Sequence, residues 1–493
     1  MSGLRPAAVA VPALALLAAC VVGPNYQAPP LPAGAQAPLV SARQTAETSA
    51  APPDDWWRLY NDPLLDRLIG EAFVANADLH AAEANLSGAR AVLEAARAGR
   101  YPDTKVVAGA IYGRDAVTDE ILEITGHKPQ TIWVFDDLID VSYELDLFGR
   151  VRRSIETSRA DAQAAAAARD ALKVTVAAET ARAYAQICSV GEEIAVARRS
   201  LDVVTREAKI IASRHEAGAG SAFDVVRAQA VVAQVGAAIP PLEGQRRSAL
   251  FQLTALLGRT PSHAPVESEA CVTPPRLASL IPAGDGAALL QRRPDVRQAD
   301  RKVAAATALI GVATADLYPR ISLTGLYGAA ASHLGDLTTQ TGLTWGVGPT
   351  VSWSFPNQAG PRARVRLAKA NAVAALAEFD SVVLTALQET ETALAAYGAE
   401  LDRREALADA REKTQRAFDM AHAQFLAGSV STLDLLTSEQ SLVAAQAAVA
   451  ASDTALVQDQ IAVFKALGGG WRGGPAGSPP ERTSARAIPG ATP

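Results

Sequence analysis

The sequence predicts a mainly α-helical chain with a small transmembrane β part: long helical hairpins and four β-strands, laid out as an internal duplication. Three observations predict it. The composition is 49% hydrophobic yet only 5% aromatic, because Ala dominates. Ala is the strongest helix former but fills little core volume, which suits long helices packed side by side. The stretch "LTWGVGPTVSWSF" alternates Leu343, Trp345, Val347, Pro349, Val351, Trp353 and Phe355 with small or hydroxylated residues, Thr350 and Ser352 among them. That period of two marks a strand with one greasy and one wet face. Finally, a series of segments in the first half recurs in order in the second.

The N-terminus comes first. In "MSGLRPAAVAVPALALLAAC" one basic residue, Arg5, precedes an apolar run to Ala19. The run is too short to span a bilayer and has the form of an export-signal core, so residues 1–19 are read as a signal peptide. It ends in "LAAC" at 17–20, which resembles the lipobox of bacterial lipoproteins. The resemblance implies cleavage before Cys20 and covalent lipid on it, with no further cofactor. Val21 and Val22 lack the acidic residue that by the same resemblance retains lipoproteins at the inner membrane. Beyond residue 20 no unbroken apolar run of membrane-spanning length appears, and no transmembrane helix is expected.

Charge excludes one class of partner. There are 46 basic and 52 acidic residues, a net charge of −6, and no basic patch interleaved with aromatics, so nucleic acid is not expected. Cys188 lies in a helical stretch, where an unpaired thiol packs as a small apolar group. A periplasmic disulfide with Cys271 is the alternative.

The repeats set the remaining elements. "YPDTKVVAGAIYG" (101–113) matches "YPRISLTGLYG" (318–328), and "EAGAGSAFDVVRAQ" (216–229) matches "LAGSVSTLDLLTSEQ" (426–440). Each half reads helix, two strands, long helix, tight turn, shorter helix. The first repeat covers 64–258, with strands in 103–148 and a hairpin in 149–258. The second covers 292–467, with strands in 318–357 and a hairpin in 361–467. Residues 20–63 precede them, 259–291 link them, and a Pro/Gly/Ala-rich tail closes 468–493. Each hairpin tip supplies a Gly to end one helix, Gly218 or Gly428, and a Ser to cap the next, Ser221 or Ser431. Pro240 and Pro241 break the return helix of the first half.

The strands raise the question of what covers the greasy face. Four strands with helices too long to lie across them do not make a soluble sandwich. Lipid on one side and water on the other answers the pattern, but four strands cannot close a barrel and lipid tolerates no open edge. Several chains must then pool their strands. The wet face carries Asp136, Asp140, Glu144 and Asp146, either lumen-facing carboxylates favouring cations or ordinary strand-end charges.

"CVVGPNYQAP", "WWRLYNDPLLDRLI" (56–69), "LIPAGDGAALLQRRPDVRQAD" (280–300) and "LGGGW" (467–471) resemble the TolC-like outer-membrane factor family, in its NodT-type lipoprotein branch. The resemblance covers residues 20 to about 471. It implies a homotrimer whose pooled strands form one twelve-stranded barrel in outer-membrane lipid of a Gram-negative bacterium. The helices would continue as an α-barrel through the periplasm, belted by the N-terminal segment, the linker and the C-terminal piece. It further implies an exit duct for small molecules such as drugs or metal ions, docked by a periplasmic adaptor protein and a resistance-nodulation-division transporter of the inner membrane. Carried onto this sequence, the closing tips hold Gly218, Ser221 and Asp224, and Gly428, Ser431, Leu433, Asp434 and Thr437. Relatives often place an acid where this chain has Thr437.

Two other classes fit the sequence less well. Catalysis is not expected: there is no HExxH, CxxC or GxSxG, and "AGAGS" lacks the Lys of a phosphate-binding loop. A lipid-anchored periplasmic coiled-coil adaptor shares the anchor and the helices but needs only one hairpin and soluble β-domains. A type I protein secretion duct is a variant within the channel class.

Overall fold

The computed structural model describes residues 21–471 except 43–46, 49, 51, 115–123, 125, 127–130, 278–279 and 285. The signal peptide, Cys20 and the tail beyond 471 therefore lie outside the described residues. In chain order the helices are α1 (Pro63–Ala75), α2 (Ala77–Ala98), α3 (Arg150–Glu216), α4 (Ala222–Gly236), α5 (Ile239–Leu256), α6 (Gly286–Arg292), α7 (Pro294–Ala315), α8 (Ala359–Leu426) and α9 (Thr432–Ala466). The main strands are β1 (Asp103–Gly113), β2 (Ile132–Glu144), β3 (Arg320–Ala331) and β4 (Leu343–Ser352).

The chain packs as two compact units that cut across the repeats. One comprises Met1–Pro30, Asn85–Ala166 and Gln298–Phe379; the other comprises Leu31–Ala84, Ala167–Arg297 and Asp380–Pro493. The division expected at residues 258 and 292 follows the duplication in sequence, but each unit draws on both repeats. The physical reason is helix length. At 67 and 68 residues, α3 and α8 are each about 100 Å long at 1.5 Å per residue, so each contributes to both units.

In the first unit, β1–β2–β3–β4 form one antiparallel sheet in sequence order, so β1 and β4 are its edges. Tyr327 pairs with both Ile139 and Trp345, Gly325 with Val141 and Val347, and Leu323 with Tyr143 and Pro349. This register gathers Val106, Tyr112, Ile139, Val141, Tyr327, Trp345 and Val347 on one face. Asp146 caps α3 where the sheet ends, accepting from the amides of Val151 and Arg152 at 2.8 Å each. The segment after Cys20 docks beside that cap. Val22 N donates to Phe148 O at 3.2 Å, and buried Arg153 reaches Asn25 Oδ1 at 2.8 Å. Gly23, at φ +89°, lies so close to Gly311 that a Cβ there would sit 2.5 Å from the Gly311 Cα.

The second unit has two apolar cores. In one, Trp56 is fully buried and stacks on Phe464 at 4.8 Å, with Leu65, Leu68, Ile187, Leu253, Ile281 and Leu289 around them. Trp56 of the N-terminal segment and Ile281 and Leu289 of the linker thus share one core with Phe464 near the end of α9. Three of the quoted motifs converge there. A Cβ on Gly469 would meet Trp56 at 2.9 Å, Trp471 Nε1 donates to Arg292 O at 3.1 Å, and Arg293 donates to Ala466 O at 2.8 Å. Arg293 also pairs with Asp295 and Glu389 at 2.7 and 2.6 Å. The other core, along the hairpins, joins Val204, Ile211, Val231, Phe418, Phe425, Leu435 and Leu442.

Several sequence expectations change. The helix expected from residue 64 is broken at Asn76, whose Oδ1 caps α2 through Asp78 N and Leu79 N at 3.1 Å each. Cys188 and Cys271 are disulfide-bonded, with Cα atoms 4.7 Å apart. Arg246 holds the linker at that point, donating to Cys271 O at 2.8 Å. By length and composition alone, Ala222–Leu256 and Ala359–Leu426 are apolar enough to cross a membrane. Val, Leu and Ala together supply that hydropathy, and the same residues serve close helix packing equally well. The first of them is also interrupted, between α4 and α5 ahead of Pro240 and Pro241.

Candidate membrane sheet and hairpin gate

Two features stand out as functional: a sheet with an exposed greasy face, and a pair of matched hairpin tips.

On the sheet's apolar face the side chains stand open. Trp345 and Val347 are each 70% exposed, and Val106, Tyr112, Ile139, Tyr327 and Val351 are exposed as well. Val107 and Ile111 of β1, and Val134 and Leu138 of β2, fall on the opposite face by register. Aromatics gather at the two ends of the strands. At one end Tyr112 tilts against Trp133, which stacks on Phe135, and Trp353 and Phe355 stack at 4.6 Å beyond the other. An apolar band between aromatic girdles is the pattern of a lipid-facing barrel wall.

The opposite face carries Asp136, Asp140, Glu144, Thr350 and Ser352 together, as the alternation predicts, along with Ser142, Ser322 and Thr324. Thr350 and Thr324 share a hydrogen bond at 2.9 Å. The carboxylates are not equivalent. Glu144 is gripped by the Arg150 guanidinium, with Nε 2.9 Å from Oε1, and Asp146 serves as the helix cap. Asp136 lies against Gly109, and Asp140 is opposite Lys105.

The tips are built alike. Gly218 and Gly428 adopt φ +78° and +75°, the left-handed turn that ends α3 and α8, where a side chain would be strained. Ala219 N then bonds back to Arg214 O at 2.8 Å, and Ser429 N to Gln424 O at 2.9 Å. Ser221 caps α4 and Ser431 caps α9, each accepting from the amide of the Asp three residues on, Asp224 or Asp434. In both tips the Ser hydroxyl also donates to that carboxylate at 2.7 Å. The second tip forms a full capping box. These carboxylates additionally lie at helix N-termini, where negative charge is favoured.

Beside the caps, large apolar side chains are presented outward. Phe223 and Val226 are 71% and 63% exposed on the first tip, and Leu433 is 47% exposed at the position of the second tip matching Phe223. Thr437 is exposed one turn further on, its hydroxyl donating to Leu433 O at 2.7 Å.

One tip residue escaped the sequence reading. Arg214 donates to Phe425 O at 2.9 Å and lies over the Phe425 ring at 4.1 Å, bracing the end of α3 against the end of α8. A cation at the last carbonyls of a helix is favoured by the dipole, and its signal was a basic residue in a final helical turn.

Comparison with known proteins follows the same lines. The family model described as outer membrane efflux protein matches residues 68–259 and 287–469. "Nodulation protein T" of Rhizobium leguminosarum bv. viciae is 29% identical over 99% of this chain and 98% of its own length. "Antibiotic efflux pump outer membrane protein ArpC" of Pseudomonas putida is 30% identical over 92% of this chain and 94% of its own. Among solved structures, the outer-membrane channel OprN superposes with a TM-score of 0.83 at 33% identity, covering 92% of this chain and all of that one.

Proposed function

The chain belongs to the outer membrane efflux protein family, and on that footing we propose that it is the exit duct of a tripartite efflux system. In this reading it passively conducts small molecules, such as drugs or metal ions, from an inner-membrane pump through the periplasm to the outside. Its partners are a periplasmic adaptor and a resistance-nodulation-division transporter.

The observation that carries the reading is the sheet: four strands, two unpaired edges and an exposed apolar face. Lipid tolerates no unpaired edge, so the strands must close with those of other copies. Three copies give twelve strands, within the usual range for outer-membrane barrels, and a homotrimer is the assembly we propose. The wet face then lines the lumen. Pairing of Glu144 with Arg150, and of Asp146 with the α3 amides, leaves Asp136 and Asp140 as its acidic lining.

Two further elements fall into place. Val21 packs against Gly149, where the sheet passes into α3. A lipid on Cys20, the next residue back, would enter the bilayer at the periplasmic rim of the barrel. At the far ends of α3 and α8, three copies of Leu433 and Asp434, with Thr437 above them, would ring the opening as a gate. The paired hairpins set this chain apart from an adaptor, which needs one.

Purified protein in planar lipid bilayers tests the proposal. Ion conductance in discrete steps is expected, whereas an adaptor would leave the bilayer sealed.

A further inference from the structure

Two carboxylates lie where the hairpins are most apolar. On α3, Glu207 follows Val204 and precedes Ile211 along one helical stripe; on α9, Glu439 follows Leu435 and Leu436 and precedes Leu442. Glu207 is 6% exposed and Glu439 1%. Among the described residues, neither carboxylate oxygen of Glu439 has a hydrogen-bond partner, nor has Glu207 Oε2. Two ionised carboxylates so placed are costly, while a protonated carboxyl is tolerated.

The surroundings supply little compensation. From α8, His422 Nε2 lies 3.2 Å from Glu207 Oε1, and this contact carries compensating charge only when the ring is protonated. From α4 the packing residues Ala228, Val231 and Val235 are apolar; its Asp224 is bound to Ser221 and its Arg227 is half-buried. Glu439 also lines a cleft of about 730 Å³ with Glu192 and Arg199 of α3 and Arg411 of α8. The other charges of that cleft are paired: Arg416 with Glu412, and Arg404 and Arg276 with Asp453. Burial, with the Glu207 charge adding to it, pushes the Glu439 carboxyl up to about 7.

We propose that Glu207 and Glu439 form a proton-operated latch, in which a proton on the pair seats α9 against α3 and its loss to solvent unseats the first turns of α9. Glu439 follows Leu433 by six residues, about 9 Å along the helix. Unseating α9 therefore frees Leu433 and Asp434. The consequence for conduction rests on the exit-duct reading; the latch itself does not.

The direction follows from proton counting. The unseated state, with Glu439 in water, binds fewer protons than the seated state between the ordinary Glu range and about pH 7. Opening of α9 thus becomes easier as pH rises through that window and levels off above it. Low pH locks the hairpins.

Amide hydrogen exchange of the detergent-solubilised full chain reads this out, after correction for the intrinsic rate at each pH. Residues 432–443 are expected to exchange on the order of 100-fold faster at pH 8.5 than at pH 5, with the increase levelling off above pH 7. Glu439→Gln, which cannot ionise, is expected to flatten the profile. Glu207→Gln removes the neighbouring charge and is expected to move the transition to lower pH. A flat wild-type profile overturns the latch, as does a Glu439→Gln profile that keeps the wild-type slope. Bilayer conductance measured on the same samples separates the two claims. A pH-dependent latch in a protein that never conducts would overturn the duct, and steady conduction with a flat exchange profile would overturn the latch.

Discussion

Lysine substitutions along β4 test where the membrane lies. Val347 sits mid-strand on the apolar face, 70% exposed in the isolated chain, and Thr350 sits three residues on, facing the other way. If the apolar face meets lipid, Val347→Lys costs about 2–4 kcal/mol per chain, the penalty for a lysine at the midplane of a barrel wall. Three chains in one barrel triple that to about 6–12 kcal/mol, comparable with the roughly 5–15 kcal/mol that holds a typical fold together. Thr350→Lys places its charge in water and loses one hydrogen bond, the 2.9 Å link to Thr324, a loss of about 1 kcal/mol. Leu343→Lys and Val351→Lys, near the two strand ends, are expected to cost only about 0–1 kcal/mol because their ammonium groups reach the interface. The assay is the amount of folded protein recovered from outer-membrane fractions. Val347→Lys should fall at least tenfold, and the other three should stay within a few-fold of the unaltered protein. A protein core would penalise lysine without regard to depth. Equal losses at residues 343, 347 and 351, or a larger loss for Thr350→Lys, would refute the assignment of lipid and lumen faces.

Other expected outcomes concern the periplasmic part. Reduction, or Cys271→Ser, opens an 83-residue loop, and the chain-entropy model puts the loss at about 4.5 kcal/mol. Faster proteolysis of the linker near residue 271 would report it. Arg293→Leu strands Asp295, Glu389 and the carbonyl of Ala466, and a loss of about 3 kcal/mol is expected in denaturant melts. Asp434→Ala dismantles the capping box at a cost of about 1 kcal/mol and should raise the conductance of the reconstituted protein, as should Leu433→Ala. Unchanged conductance in both would remove these residues from the gate.

The duplication made much of this fold legible from residues alone. Matched Gly and Ser positions placed both tips, and the long helix expected from Gly149 to about Ala217 is observed as Arg150–Glu216. Alternation in β4 placed Thr350 and Ser352 with the carboxylates of β2, because a period of two fixes the face before any neighbour is known. Features that depend on distant neighbours were not legible. The break at Asn76 lies inside a continuous helical pattern with no Pro or Gly nearby, and its cap shows only once Asn76 Nδ2 is seen donating to Leu256 O at 3.1 Å. The disulfide partners lie 83 residues apart with no motif to join them. Each Glu of the buried pair interrupts an apolar stripe in the sequence. That they share one core is a fact of tertiary packing alone.

The central claim is that this chain cannot close a membrane sheet by itself and does so with two copies of itself. Native mass spectrometry of the protein extracted in detergent from outer-membrane fractions tests it most directly. The account predicts a trimer whose subunits begin at Cys20 and carry acyl mass. A monomer, or protein recovered from the soluble periplasm, would leave both edges of the sheet open and contradict it.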